Sequence, residues 1–202
     1  SIERTDQLRA FIGDPMIEVQ GKERPGLDAH SREFLARCPF LVLATVGGDG
    51  HVDMSPRGDP PGFVKVVDDT TVVLPDRKGN RRVDSMTNIL ENPHVGLILF
   101  LPGYEETVRI RGRAALTTDP GDLSGMAVNG KAPELGIKVE IDTVFYHCAK
   151  ALKRSKLWAA ESQGLAEGYP KFAQIVRDQY MHDADAGEID DALQKAYRED
   201  LY

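Results

Sequence analysis

The sequence predicts a mainly β domain, an antiparallel barrel or sandwich with helices at both ends. Three observations carry that prediction. Apolar runs rich in branched residues, notably Phe40 to Val46 and His94 to Leu101, have strand length and end at turn residues. Turn chemistry joins neighbouring runs into hairpins, as at Gly47-Gly48-Asp49-Gly50, where Gly accepts positive φ at little cost. Helical spacing is confined to the two ends and one insertion. Hairpin-linked strands pair antiparallel, which argues against a doubly wound parallel sheet.

In chain order, residues 5–12 and 30–37 read as short helices, the second opening near Ser31. Phe40 to Val46 is the first strand, and His51 to Ser55 returns from the glycine turn with polar and apolar residues alternating. Phe63 to Val67, the turn Asp68-Asp69 and Thr70 to Leu74 make a second hairpin. Residues 80–91 read as a helix, with Val83, Met86, Ile89 and Leu90 at spacings of three and four, stopped by Asn92-Pro93. A buried strand, His94 to Leu101, follows, and then a long strand from Thr107 to Leu116 carrying Arg109, Arg111 and Arg113. The Gly-, Pro- and Asp-rich stretch 117–135 reads as irregular, and Val139 to Tyr146 as the last strand. Ala149 to Leu157, Pro170 to Tyr180 and Glu188 to Tyr197 are helical in pattern. No repeat or linker divides the chain, so the expectation is one domain over 1–202, with a barrel core over 38–148 and helical extensions at 1–37 and 149–202.

Charge narrows the functional classes. With 25 Lys+Arg against 32 Asp+Glu the net charge is −7, which argues against general affinity for nucleic acid or an anionic membrane. No apolar run approaches the roughly 18 residues of a membrane span. The first residues are polar and charged, with no apolar core of a signal peptide after them, so the expected location is cytoplasmic. Cys38 and Cys148 form no disulfide framework and read as reduced thiols, Cys148 as a small buried hydrophobe.

Against that acidic background one cluster stands out. Leu74-Pro75-Asp76-Arg77-Lys78-Gly79-Asn80-Arg81-Arg82 places four basic residues within six positions, across the expected start of a helix. A helix N-terminus offers unpaired N–H groups and a positive dipole end, and Arg and Lys beside it make a phosphate pocket. Taken alone, the cluster reads equally as a solvated turn whose arginines pair with Asp76 and Asp84. A second element, Ser55-Pro56-Arg57-Gly58-Asp59, tips the balance, because an antiparallel barrel brings Ser55 and Arg57 beside Arg77 and Lys78.

These residues carry a family resemblance. Arg77-Lys78-Gly79, a helix ending Leu90-Glu91-Asn92-Pro93-His94, and the strand Val95 to Phe100 together resemble the pyridoxamine 5′-phosphate oxidase-like flavoproteins. There an Arg-Lys-Gly turn grips the FMN phosphate. Glu106 to Arg113 is similar to the family's Arg-Gln-Val-Arg-Val-Glu-Gly-Arg strand, whose Gln contacts the flavin; this chain has Thr107 at that position. More narrowly, Ser55 to Asp59 with Leu74 to Asn80 resembles the uncharacterised FMN-dependent PPOX-class branch. The resemblance covers roughly 30–160. It implies an antiparallel split β-barrel, a homodimer with FMN at the subunit interface, and oxidoreductase chemistry by hydride transfer with a small organic substrate. It also implies flavin contacts from Ser55, Arg57, Leu74, Pro75, Asp76, Arg77, Lys78, Asn80, Arg81 and Thr107. The C-terminal residues Lys195 to Tyr202 lack the Trp-Arg-Leu-like segment of the family's true oxidases, which points away from pyridoxamine 5′-phosphate as substrate.

A second basic stretch, His147 to Trp158, holds the only Trp. Trp158 is a candidate for packing against a flat flavin, and Lys150, Arg154 and Ser155 for an anionic substrate; an amphipathic helix with Leu152 and Trp158 in the core fits the pattern equally. No catalytic acid or base is assigned. No metal site is expected, because the five histidines are scattered and Asp183 to Glu188 lacks a calcium loop's distal ligand. Alternatives to an FMN enzyme are a flavin carrier or sensor without turnover, and a barrel that takes F420 or haem instead. Haem would draw attention to His147.

Overall fold

The computed structural model describes residues 1–202 apart from Gln20 and the side chain of Glu18. Seven strands form one sheet: β1 (Phe40–Val46), β2 (Val52–Gly58), β3 (Lys65–Val66), β4 (Thr71–Pro75), β5 (His94–Phe100), β6 (Thr107–Thr117) and β7 (Gly136–His147). Their order is β2-β1-β5-β6-β7-β4-β3, and every pair is antiparallel. The strands turn alternate residues inward. Leu41 and Leu43 of β1, Leu97 and Leu99 of β5, Val108 and Ile110 of β6, Ile137 and Val139 of β7, and Val72 and Leu74 of β4 meet in one core. Strands from across the whole sheet therefore share a single interior, while the two edges, β2 and β3, are not laddered together. This is a split barrel with flanking helices, the fold class the sequence predicts.

The helices are α1 (Thr5–Ile12), α2 (Ala29–Arg37), α3 (Asp84–Glu91), the single turn α4 (Pro120–Leu123), α5 (Lys150–Ser155), α6 (Phe172–Gln179) and α7 (Ala186–Glu199). A 3-10 segment at Ala160–Ala166, absent from the sequence reading, lies between α5 and α6. Asp28 caps α2 by accepting from the Ser31 amide at 2.9 Å, and Phe34 and Leu35 bury against the barrel. α3 packs on β1, β2 and β6 and is pinned where Asn88 Nδ2 donates to Thr45 Oγ1 at 3.0 Å. Among the described residues no helix is long and apolar enough to cross a membrane.

Further details depart from the sequence reading: the strand expected over 63–67 is only Lys65–Val66, the stretch 117–135 holds the turn α4, and the last strand starts at Gly136 rather than Val139. The helix expected over 80–91 begins at Asp84, because Arg81 and Val83 take left-handed φ of 61° and 55° and break the run before it. The alternation of β2 is present but inverted: Val52 and Met54 are 65% and 70% exposed, while Asp53, Ser55 and Arg57 turn inward. The buried cysteine is Cys38, whose thiol donates to the carbonyls of Phe40 and Phe100; Cys148 is exposed, and both are free. Finally, β6 and β7 slip register between Arg111 and Gly112, so that Arg111 faces Thr143 and Gly112 faces Ile141 with Asp142 left over. That β-bulge lets Ile141 and Val144 both reach the core.

Candidate functional site

The seam between the sheet edges is built by a shortage of strand. β3 has two residues, paired to Val73 and Val72, so Leu74 and Pro75 run on with no partner on that side. β7 holds their other side, Leu74 opposite Ile137 and Pro75 opposite Gly136. Leu74 is buried in the core, so only its backbone is offered to the seam. Beyond Pro75 the chain is irregular until α3.

Across this seam the inward polar face of β2 meets the basic segment. Arg57 Nη1 donates to Asp76 Oδ1 at 3.3 Å, and its Nε donates to Ser55 Oγ at 3.2 Å. Ser55 and Ser85 share a hydrogen bond of 3.1 Å, and Ser85 donates to Asp53 Oδ2 at 3.3 Å. A carboxylate only accepts, so the polarity runs from Arg57 through Ser55 and Ser85 to Asp53. Burial pushes the Asp76 carboxyl above its ordinary value, against the pull of the Arg57 charge and its hydrogen bond. Ser85 lies in the first turn of α3, whose N-terminus has no side-chain cap. Its leading amides thus add uncommitted donors beside Ser55.

Arg77 is held more tightly. Its Nε donates to Asp59 Oδ2 at 2.7 Å and its Nη2 to the Met126 carbonyl at 2.7 Å. The Asp59 side chain is 1% exposed and that of Arg77 16%. Two of the three guanidinium nitrogens are therefore fixed by the protein, and Nη1 is left as the directed donor. Lys78 is exposed and pairs with Asp200 at 3.2 Å. Asn80 accepts from the Arg82 amide at 3.0 Å, which shapes the turn, and Arg81 projects into solvent. Two hydrogen-bonded groups thus meet at consecutive residues, Arg57 with Ser55 and Asp76, and Arg77 with Asp59 and Met126, while Lys78 pairs outward with Asp200. The N-terminus of α3 lies six residues beyond Lys78, and there the Ser85 hydroxyl meets Ser55.

The remaining predicted residues lie elsewhere. Thr107 begins β6, while Thr117, at its other end, pairs with Gly136, which pairs with Pro75. Counted through β7 and β4, Thr107 lies ten residues along β6 from the level of Pro75; counted through β5 and β1, its neighbour Val108 lies level with Arg57. Its Oγ1 is buried without a hydrogen-bond partner, as is Nδ1 of His147, the residue opposite it in the ladder. Burial, then the charges of Arg109 and Lys22, hold the His147 imidazole below its ordinary value. At this same end Trp158 Nε1 donates to the Tyr104 carbonyl at 2.9 Å. Trp158 lines an open pocket of about 300 Å³ with Gly103, Glu105, Lys153, Lys156 and Ala159. Lys150 and Arg154 are exposed off that pocket, and the Ser155 hydroxyl is spent on the Leu152 carbonyl at 3.1 Å. Sequence reasoning missed Lys153 and Lys156 as lining residues. It also missed Met126 and Tyr202, whose contacts with the cluster span 49 and 143 residues and leave no local signal. Among the described residues no group of three metal-capable side chains assembles.

The chemistry of this donor set fits a phosphomonoester: the guanidinium nitrogen that Arg77 leaves unbonded and the Lys78 ammonium. Known proteins bear on it. The model of the pyridoxamine 5′-phosphate oxidase family matches residues 27–148. A search of the curated proteins returns no match. Among solved structures, HupZ of Group A Streptococcus is 14% identical, with 59% of this chain and 93% of that chain covered and a TM-score of 0.49. A putative pyridoxamine 5′-phosphate oxidase of Lactobacillus delbrueckii is 20% identical, with 60% and 95% covered and a TM-score of 0.46. An FMN-binding protein of Syntrophomonas wolfei is 13% identical, with 59% and 89% covered and a TM-score of 0.42.

Proposed function

The chain belongs to the pyridoxamine 5′-phosphate oxidase family, and from that premise we propose that it is an FMN-dependent oxidoreductase, exchanging hydride with a small organic substrate. The observation that carries the reading is Arg77, oriented by buried Asp59 and the Met126 carbonyl so that Nη1 is free to donate, with Lys78 beside it. The counter-charge of Arg77 is Asp59, so Nη1 and the Lys78 ammonium are the donors an incoming anion would engage. When bound, FMN supplies the redox chemistry at its own ring. Arg77, Lys78 and Ser55 would hold its phosphate, Arg57 would keep Asp76 in place, and the backbone of Leu74 and Pro75 would edge the ring.

Thr107 and Trp158 would complete the site from a second copy of the chain. The orphaned Thr107 hydroxyl is a fitting hydrogen-bond partner for the ring, and Lys153 and Lys156 beside Trp158 would attract an anionic substrate.

The test is direct. The purified protein, or protein incubated with FMN, should show oxidised-flavin absorption at one flavin per chain, and Arg77→Ala with Lys78→Ala should lose it. Stoichiometric flavin in the double variant would place the phosphate elsewhere. Turnover with a reductant separates the enzyme from a carrier. F420 would use the same phosphate donors, so it is titrated in parallel. One observation favours haem as a second reading: His147 Nδ1 is buried without a hydrogen-bond partner, and burial lowers the imidazole's affinity for a proton. A Soret band lost in His147→Ala would establish it.

A further inference from the structure

The end of α7 returns to the basic cluster. Asp200 accepts from Lys78 Nζ at 3.2 Å. The Tyr202 hydroxyl donates to Asp59 Oδ1 at 2.8 Å, on the same carboxylate that orients Arg77. The Tyr202 ring lies over the Arg77 guanidinium, 5.5 Å from carbon to centroid, and its carbonyl accepts from Lys131 Nζ at 2.8 Å. An acidic side chain thus sits on one cation of the cluster and an aromatic face on the other.

We propose that residues 200–202 are an internal strap that occupies the phosphate side of the site and is expelled when an anion binds. The inference rests on reading Arg77 and Lys78 as phosphate ligands. Asp200 holds on Lys78 the place that a phosphate oxygen would take. A dianion arriving there must displace the carboxylate or lie against a like charge. Displacement is cheap: the Lys78 and Asp200 side chains are 61% and 65% exposed, and exposed pairs are weak. Tyr202 makes the strap more than a fluctuating ion pair. It covers the face of Arg77 while leaving the Asp59 bond to Nε intact, so its departure uncovers a guanidinium that is already oriented. The covalent link to α7 keeps the strap close enough to return. The device excludes weak adventitious anions and admits one whose two charges engage Arg77 and Lys78 together.

The experiment is hydrogen exchange of residues 196–202 in the full chain, alone, with FMN and with inorganic phosphate, beside FMN titrations of wild type and Asp200→Asn. Both anions should accelerate exchange in this segment, and Asp200→Asn should bind FMN about two- to fivefold more tightly, the factor an exposed ion pair is worth. Bound FMN that slows exchange would mean a lid closing over the ligand, and this or unchanged affinity in Asp200→Asn overturns the proposal. If FMN does not bind, the phosphate arm decides. Faster exchange with phosphate keeps the strap and rejects the flavin reading; unchanged exchange rejects the strap.

Discussion

Replacing Gly112 by Ala tests the barrel where its longest ladder slips register. An added Cβ would lie 2.1 Å from the Glu140 carbonyl oxygen, 3.0 Å from its carbon and 3.1 Å from Val139 Cγ1. Carbon–oxygen approaches between strands are ordinarily no closer than about 3.3 Å, so β7 must retreat by roughly 1.2 Å. The obstacle is backbone already committed to the sheet, and no side-chain rotation relieves it. Overpacking costs about 1–3 kcal/mol, and stretching one or two ladder bonds adds about 1 kcal/mol each, giving roughly 3 kcal/mol. For a chain of this size that lowers Tm by about 6–12 °C. Gly96→Ala is the control: on β5 the new Cβ would meet only Ala44 Cβ, at 3.9 Å, and should change stability by less than about 1 kcal/mol. Both are read by calorimetry and urea unfolding of the same preparations. Equal Tm values for the two variants would refute the steric account of the bulge.

Other outcomes follow from the seam and its supports. Asp59→Asn removes the charge that holds Arg77 Nε and Tyr202, and should cost about 2 kcal/mol in urea unfolding and weaken FMN about tenfold in a fluorescence titration. Lys65→Met uncages the Gly121, Asp122 and Ser124 carbonyls, which accept from Lys65 Nζ at 2.7, 3.0 and 3.1 Å, and should lower stability by about 1–2 kcal/mol, read from the urea midpoint. Because His147 titrates below its unfolded value of 6.5, the unfolded chain takes the proton first. Its contribution is therefore complete above pH 6.5 and lost as pH falls below it, and His147→Gln should flatten the stability profile over that window.

Local patterns carried most of the barrel. β1 and β5 are runs whose alternate residues fill the core, and no other element suits such short apolar segments. The start of α3 was not legible, because left-handed backbone at Arg81 and Val83 interrupts a run whose side-chain spacing still reads as helical. The orientation of β2 was equally hidden. Alternation reports that two faces differ, and only the seam decides that Asp53, Ser55 and Arg57 turn in. At the site, the charge contrast of Arg77 and Lys78 with an acidic chain was readable. The bonds that aim Arg77 were not, since Asp59, Met126 and Tyr202 arrive from three distant elements.

The proline in β2 has a consequence for how the barrel can meet another surface. Pro56 pairs with Val42 on its inner side, and it is tolerated because the N–H it lacks belongs on the free margin of the sheet. An eighth strand added along that margin would find a gap in the row of donors where it needs one. Growth of the sheet by strand addition therefore stops at β2. What β2 does present is Val52 and Met54, standing outward from the pleat rather than along it. A neighbour can cover them only by approaching face to face, so the proline sets the direction of contact as well as its limit.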